Sequence, residues 1–299
     1  MSGEVRRQDT PEPVEDTLAI RILVDSTADI PRDRAKSLGI ETVPLMVLFG
    51  NETYRDGVDL DGPAFYRKLV ASAQAPTTST PPPALFEEAY QRLIGEGATG
   101  ILSLHLASAL SATYSVAKGA AELVSRDTGV PIELVDSQTV SAGFGLPAEI
   151  VAREAREGKT LAELKTHAES LCRRAYVIAV LDTLEYLQRG GRIGRARAMV
   201  GTLLSVKPLI AVREGQVVPL ENVRTRSKAQ ERIGQLVGQL GELEALSIVQ
   251  ADPASGSELD AIVKRVWHGP IVFSTLGPVV GTHAGPGAAG VATITKSGA

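Results

Sequence analysis

Cysteine and histidine are scarce in this chain, and their scarcity excludes several kinds of site. The 299 residues contain one cysteine, Cys172, and four histidines that lie far apart in the sequence. A single cysteine excludes an internal disulfide and a cysteine cluster for zinc, and it favours a reducing compartment. No HExxH or similar histidine pairing occurs. We therefore expect no metal site.

Long apolar runs and an excess of positive charge are also lacking. No stretch approaches the roughly 18 apolar residues needed to cross a bilayer. The polar start, MSGEVRRQDTPEPVEDT, lacks the apolar segment of a secretory signal. The net charge of -4 argues against nucleic acid as the main partner. We expect a cytoplasmic protein without a transmembrane segment, in which residues 1–18 form a disordered tail.

The common fingerprints of enzymes are missing as well. The chain contains no GxSxG elbow, no GxxxxGK[ST] loop and no GxGxxG motif after a strand. One glycine-rich, basic run, Gly190-Gly191-Arg192-Ile193-Gly194, remains. It is either a tight turn with solvated arginines or a loop that holds a phosphate.

Strands and helices alternate in the first half, which predicts an α/β domain over residues 19–157. The predicted strands are residues 19–24, 40–49, 100–105 and 131–135, and the predicted helices are 31–38, 61–72, 84–94, 112–124 and 142–156. This alternation favours a parallel sheet covered on both faces, with ligands outside the carboxyl ends of its strands. The proline-rich stretch that contains Thr77 to Thr80 must be extended.

The second half has a different pattern, typical of an α+β domain over residues 158–299. Strands are predicted at 177–181, 209–212, 217–220, 245–250, 271–274 and 291–295, with helices at 161–173, 183–188, 227–240 and 256–266. The turn at Glu214-Gly215 predicts a hairpin between two of these strands. The glycine-rich stretch from Gly281 to Gly290 would let a ligand approach the backbone closely.

Hydroxyl groups and one histidine form three candidate sites. The first is the Thr77 to Thr80 loop, which could equally be a polar linker. The second is Ser111, predicted as the N-cap of a helix that begins at Ala112; a helix start also attracts a carboxylate or phosphate. The third is His283 in the closing glycine-rich stretch, although a lone histidine is more often structural.

Together these segments resemble the DegV family of fatty-acid-binding proteins. The resemblance rests on ILVDSTADIP, PTTSTPPP, ILSLHLASALSATYSVA, VDSQTVSAGFG, LEYLQRGGRIG and GTHAGPGAAGVA, which span Ile22 to about Ala292 in the family's order and spacing. It implies that the α/β domain packs on the α+β domain and that one long-chain fatty acid lies between them, its chain in a buried apolar tunnel.

The resemblance also implies roles for particular residues and partners. Thr78, Ser111 and His283 correspond to the residues that bind the carboxylate. Arg189, Arg192 and Arg224, with Arg226, are candidates for contacts with the head group or with a partner. That partner is the ATP-dependent subunit of fatty acid kinase, which would bring ATP and metal and form an acyl phosphate. The chain itself would be a carrier with no catalytic residue and no cofactor, and transient contact with a membrane surface is a further expectation.

Three departures from the family pattern concern the geometry of this site. Thr80 stands where glutamine is usual, Ala112 stands where glycine is usual beside Ser111, and the closing motif has the small residues Ala284 and Ala289. Smaller residues there would change the width of the tunnel and the acyl chain that it prefers.

Two other functions remain open from the residues alone. Asp25 and Asp29, near a serine, would suit a small-molecule phosphotransferase or hydrolase, although such residues more often cap a helix. A plain interaction module with an empty pocket is the other alternative.

Overall fold

The structure is a computed structural model that describes residues 19–201 and 206–296, with the backbone alone for residues 253–257. The predicted disordered tail, residues 1–18, lies outside the described residues. Up to residue 156 the elements are β1 (Ile20–Asp25), α1 (Arg32–Leu38), β2 (Ile40–Val43), β3 (Met46–Phe49), β4 (Glu52–Arg55), α2 (Gly62–Ala71), β5 (Thr77–Ser79), α3 (Pro83–Gly95), β6 (Gly100–His105), α4 (Thr113–Thr128), β7 (Ile132–Asp136) and α5 (Ala142–Arg156).

The elements that follow belong to a second sheet and its helices. They are α6 (Leu161–Arg173), β8 (Ala175–Val180), α7 (Glu185–Arg189), β9 (Lys207–Arg213), β10 (Gln216–Val223), α8 (Arg226–Gln239), β11 (Leu243–Gln250), α9 (Pro253–Val263), β12 (Ile271–Thr275), α10 (Pro278–Ala284) and β13 (Ala289–Thr295). Two short 3-10 helices are formed by Ser26–Ala28 and Gly194–Met199.

The N-terminal sheet is parallel and is covered on both faces, as the alternation of strands and helices predicts. Its strands lie in the order β2-β1-β6-β7. Leu23 and Ile101 point into one core with α3 and α4, whereas Ile22 and Leu102, which are register partners, point into the other core with α5 and α6. Burial of apolar side chains on both faces explains why these strands are almost continuously apolar.

The C-terminal sheet is mixed, and its two faces pack against different parts of the molecule. Its strands lie in the order β10-β9-β8-β13-β11-β12. Ile178 and Leu209 pack in a core with α8 and α9, whereas the alternate residues Val177 and Ile210 face the N-terminal part of the molecule. This second face is therefore covered by the other half of the chain. The predicted α/β plus α+β class is confirmed.

A small antiparallel sheet was not expected from the sequence. Residues 40–49 form two strands, β2 and β3, because the bend at Pro44 sends them into different sheets. β3 pairs with β4 on one side and with β5 on the other, so that Val47 lies opposite Thr78. The predicted extended stretch around Thr78 is thus held as an edge strand.

Three further predictions of local structure were wrong. The helix α4 begins at Thr113, so Ala112 and not Ser111 is its N-cap residue. The sequence showed no helix in the closing motif, yet α10 carries His283. Residues 253–263 form α9, which begins and ends three residues before the predicted helix. In α10 and at the start of α9, glycine and proline weakened the helix signal, because they favour other conformations.

The predicted domain boundary after residue 157 stays a prediction. α6, which follows that boundary, packs on the N-terminal sheet, where Lys165 forms an ion pair with Glu133 (2.7 Å) and Leu164 joins the core under β6. No helix of residues 19–201 and 206–296 is long and apolar enough to cross a bilayer.

Candidate functional site

An apolar cavity of about 360 Å³ lies between the N-terminal and C-terminal sheets, a volume within the range of small-ligand pockets. Its floor consists of residues that follow the carboxyl ends of the N-terminal strands, among them Thr27, Leu106 and Val140. The opposite wall is the inner face of the C-terminal sheet, with Val177, Ala179, Ile210, Val212 and Val249. The parallel sheet therefore places a pocket where such sheets bind ligands.

The polar lining of the cavity brings together the three residues that the sequence predicted. Thr78 reaches it from β5, Ser111 from the loop before α4, and His283 from α10. Oγ1 of Thr78 lies 2.9 Å from Nε2 of His283. Ser111 Oγ lies 2.8 Å from Oγ1 of Thr113 and accepts from the Thr113 backbone N–H at 3.3 Å. Thus Ser111 still contacts the first turn of α4, although it does not cap it.

His283 is neutral in this environment. Burial lowers its pKa to about 4, and the nearby charge of Arg192 adds to the effect. In the tautomer with hydrogen on Nε2, His283 donates to Thr78 Oγ1, and the hydroxyl hydrogen of Thr78 can then donate to a ligand. The His283 Nδ1 atom is buried and has no hydrogen-bond partner among the described residues.

Glycine residues hold α10 tightly against its neighbours. A Cβ atom on Gly190 would overlap the His283 ring, and one on Gly281 would lie 2.6 Å from the Tyr66 hydroxyl and 2.7 Å from Cε1 of Phe65. Gly285, with φ of 82°, lies against the Tyr186 ring in the same way. The absent side chains let α2 and α7 approach α10 closely and fix the position of His283.

The predicted arginines are not equivalent. Arg192 lines the cavity, where its Nε donates to the Leu110 carbonyl at 3.0 Å and its Nη1 to the Gly190 carbonyl at 2.7 Å. It is the one charged side chain in the lining formed by the described residues. Arg189 pairs with Glu185 within α7, and Arg224 is exposed; neither lines the cavity.

The run from Gly190 to Gly194 forms a turn between α7 and the second 3-10 helix. Gly191 and Gly194 have positive φ angles of 70° and 50°, which glycine adopts without strain. Arg226 lies elsewhere and donates from Nη1 to the Gly287 carbonyl at 2.6 Å, which ties α8 to the start of β13.

A second depression, which we call the outer cleft, shares part of its lining with the cavity. Ser111 and Arg192 line both, together with Leu110, Ala112 and Val217, and the outer cleft also includes Ser108, Gly191 and Gln216. A polar group beside Ser111 and Arg192 would therefore lie next to the outer cleft.

A buried Ser-His-Asp arrangement elsewhere in the molecule was missed in the sequence. His105 lies 2.8 Å from Ser103 Oγ through Nε2 and 3.1 Å from Asp25 Oδ2 through Nδ1. All three are fully buried and line neither the cavity nor the outer cleft, so a substrate cannot reach Ser103. Asp25 also accepts from the Leu106 backbone N–H at 3.0 Å, so it joins the ends of β1 and β6.

The interpretation of Asp25 and Asp29 as helix caps is correct only in part. Asp25 caps the 3-10 helix Ser26–Ala28 by accepting from the Thr27 N–H at 3.1 Å. Asp29 accepts instead from the Gly277 N–H at 2.8 Å and from the Ser141 hydroxyl. Both carboxyls thus have structural partners, and neither lines the cavity.

Comparison with known proteins gives consistent matches over almost the whole described chain. A family model described as "Uncharacterised protein, DegV family" matches residues 19–296. A DegV domain-containing protein of Halalkalibacterium halodurans is 35% identical over 283 residues, which cover 91% of this chain and 97% of that protein.

Solved structures agree with this match. A protein of Thermus thermophilus, described as "Fatty Acid Binding of a DegV family Protein", is 31% identical with a TM-score of 0.84, covering 93% of this chain and 99% of that one. DegV of Bacillus subtilis, described as a fatty acid binding protein, is 30% identical with a TM-score of 0.82 and covers 93% and 100%.

Proposed function

This chain belongs to the DegV family, and from that premise we propose that it binds one long-chain fatty acid in the apolar cavity. The observation that carries the proposal is the cavity itself: an apolar space lined by the polar residues Thr78, Ser111, Arg192 and His283, of which Ser111 and Arg192 also line the outer cleft. The relatives of Thermus thermophilus and Bacillus subtilis that share this fold are described as fatty acid binding.

The energetics favour an apolar chain in this cavity. Each buried methylene contributes roughly 0.8 kcal/mol, so a long chain supplies roughly 10 kcal/mol before the cost of ordering it. The head group then needs partners for its oxygens rather than a strong clamp. Hydroxyl donors from Thr78 and Ser111 and the positive charge of Arg192 satisfy a carboxylate.

We further propose that the carboxylate is presented to an ATP-dependent fatty acid kinase subunit, which forms the acyl phosphate. The outer cleft supports this step because Ser111 and Arg192 line both spaces, and a carboxylate beside them is accessible from outside. Exposed Arg189 and Arg224 are proposed contacts for the partner or for a membrane surface. On this proposal the chain works as a carrier, and the kinase brings ATP and metal.

Mass spectrometry of the purified protein tests the carrier function. We expect native spectra to show one bound ligand and denaturing spectra to release a long-chain acid. Protein that is purified without ligand and does not take up added oleate would contradict fatty-acid binding and favour an interaction module. Addition of a fatty acid kinase subunit and ATP to the loaded protein then tests the second step, for which we expect acyl phosphate.

A further inference from the structure

Two buried carboxyl groups hold the beginning of the helix that carries His283. Asp29 is 7% exposed and Asp56 is 3% exposed. The N–H of Gly277, the N-cap residue of α10, donates to Asp29 Oδ1 at 2.8 Å, and the N–H of Val279 donates to Asp56. Two carboxyls from the N-terminal part therefore attach α10 to it.

The two carboxyls face each other across Gly277. A Cβ atom on Gly277 would lie 3.0 Å from Asp56 Oδ1 and 3.1 Å from Asp29 Oδ1. The second oxygen of each accepts from a serine: Ser26 donates to Asp56 at 2.8 Å, and Ser141 donates to Asp29. Because Ser141 also lines the cavity, this network is part of the cavity wall.

Among the described residues, no cationic side chain is a hydrogen-bond partner of Asp29 or Asp56. Asp25 and Tyr66 are the neighbouring titratable groups. Burial raises the pKa of Tyr66, and the carboxyls of Asp29 and Asp56 raise it further. Arg32 and Asp61 line a different surface cleft, separate from the outer cleft, together with Asp29 and Asp56.

Ionisation of both carboxyls is costly in this position. Burial raises the pKa of Asp56 to about 7 and that of Asp29 well above its usual value, and repulsion between the two carboxyls also raises the pKa of Asp29. At least one of the two carboxyls is therefore expected to stay protonated near neutral pH.

We propose that Asp29 and Asp56 form a proton-dependent latch on α10, and that ionisation of both carboxyls loosens α10 and speeds release of the acyl chain. The reason is geometric: α10 supplies Val279, Val280, His283 and Ala284 to the cavity, and its start is held by the two buried carboxyls through the Gly277 and Val279 N–H groups. The inference rests on the proposed function, because it regulates the same cavity.

The dissociation rate of preloaded radiolabelled oleate into excess albumin, measured between about pH 6 and about pH 9, tests the latch. His283 stays neutral throughout this range because its pKa is about 4. We expect the wild-type rate to rise about tenfold as the pH rises, equivalent to roughly 1.4 kcal/mol. Asp56→Asn, which mimics the protonated carboxyl, is expected to change less than about twofold.

Two further variants keep the test decisive. Asp29→Asn is a second latch variant, since asparagine tolerates the positive φ of 50° at this position. Asp33→Asn removes an exposed carboxyl on α1 and is expected to keep the wild-type profile. A wild-type rate that does not change with pH, or a latch variant that keeps the full rise, would overturn the latch alone. Failure of wild-type protein to retain oleate at any pH would overturn fatty-acid binding, and the latch with it.

Discussion

Nε2 of His283 lies 2.9 Å from Oγ1 of Thr78, although 205 residues separate them in the chain. The contact joins α10 to the edge strand β5, and both residues line the same cavity. In the tautomer with hydrogen on Nε2, His283 donates to the Thr78 hydroxyl. The hydroxyl hydrogen of Thr78 is then free to donate to a carboxylate placed beside it.

Removal of two hydroxyls, in Thr78→Ala with Ser111→Ala, is expected to weaken oleate binding at least about a hundredfold. Each hydrogen bond to a charged group contributes roughly 1.5–3 kcal/mol, and an unpaired carboxylate at this site loses two of them. The dissociation constant from equilibrium binding measures the effect. Thr77→Ala with Ser115→Ala is the matched control, because both side chains are exposed and outside the cavity lining. Undiminished co-purification of lipid with the first double variant would contradict this head-group site.

His283→Ala is expected to reduce acyl-phosphate formation more than lipid uptake. On the proposed function, burial of the acyl chain supplies most of the binding energy, whereas His283, which contacts Thr78, would act beside the carboxylate. Oleate binding and acyl-phosphate yield with a kinase subunit and ATP should be measured on the same preparation. Equal losses in both would contradict this division of roles.

Gly190→Ala is expected to impair the site through His283, which it displaces. The new methyl group would overlap the imidazole ring, so the contact with Thr78 breaks. We expect the acyl-phosphate yield to fall as far as in His283→Ala. Gly119→Ala on α4 is the control, because its added Cβ would meet nothing within 4 Å, and alanine stabilises a helix by roughly 0.5–1 kcal/mol over glycine. An unchanged yield in Gly190→Ala would show that the imidazole need not occupy this position.

Ala179→Leu is expected to shift binding toward shorter acyl chains. Ala179 lies on the inner face of β8 and lines the cavity, so a larger side chain there displaces methylenes of the ligand. Loss of two buried methylenes costs roughly 1.6 kcal/mol, or about fifteenfold in affinity. Competition between oleate and a twelve-carbon acid, about six methylenes shorter, measures the shift. The same ratio in wild type and variant would place the chain away from Ala179.

Asp56 is expected to make the stability of the protein depend on pH. Its folded-state pKa of about 7 lies above the ordinary value of 3.8. Its favourable contribution is therefore complete below the ordinary pKa and is lost as the pH rises through about 7, at up to about 1.4 kcal/mol per pH unit. Urea unfolding of wild type and Asp56→Asn between these values should show the variant gaining relative stability as the pH rises. A constant difference between the two would contradict the raised pKa.

Short-range patterns explain why much of the fold could be predicted. Apolar strands such as β6 and the capped helix α6, which Thr160 and Glu163 begin with a capping box, are determined by residues near them in sequence. The helix α10 was missed because Gly281 and Gly285 are poor helix formers. They are present because Phe65, Tyr66 and Tyr186 pack against them, and such contacts are not visible in local sequence.

The residues of the candidate site could likewise be predicted from the sequence only in part. The motifs around Thr78, Ser111 and His283 pointed to a shared site, and these residues line one cavity; their role as carboxylate ligands stays a prediction. Asp56 carried no signal, because its raised pKa comes from burial and from neighbours on distant segments. The buried contacts of His105 were hidden for the same reason.

The order of residues by itself determined the class of the fold, the positions of most helices and strands, and membership of the DegV family, since these depend on local periodicity and on motifs. Only the tertiary structure decided which face of the C-terminal sheet lines the cavity, that Arg192 and not Arg189 or Arg224 reaches it, and that Asp29 meets Asp56 across Gly277. Those relationships depend on how distant segments pack, and burial among them sets the charge states of His283 and the two carboxyls.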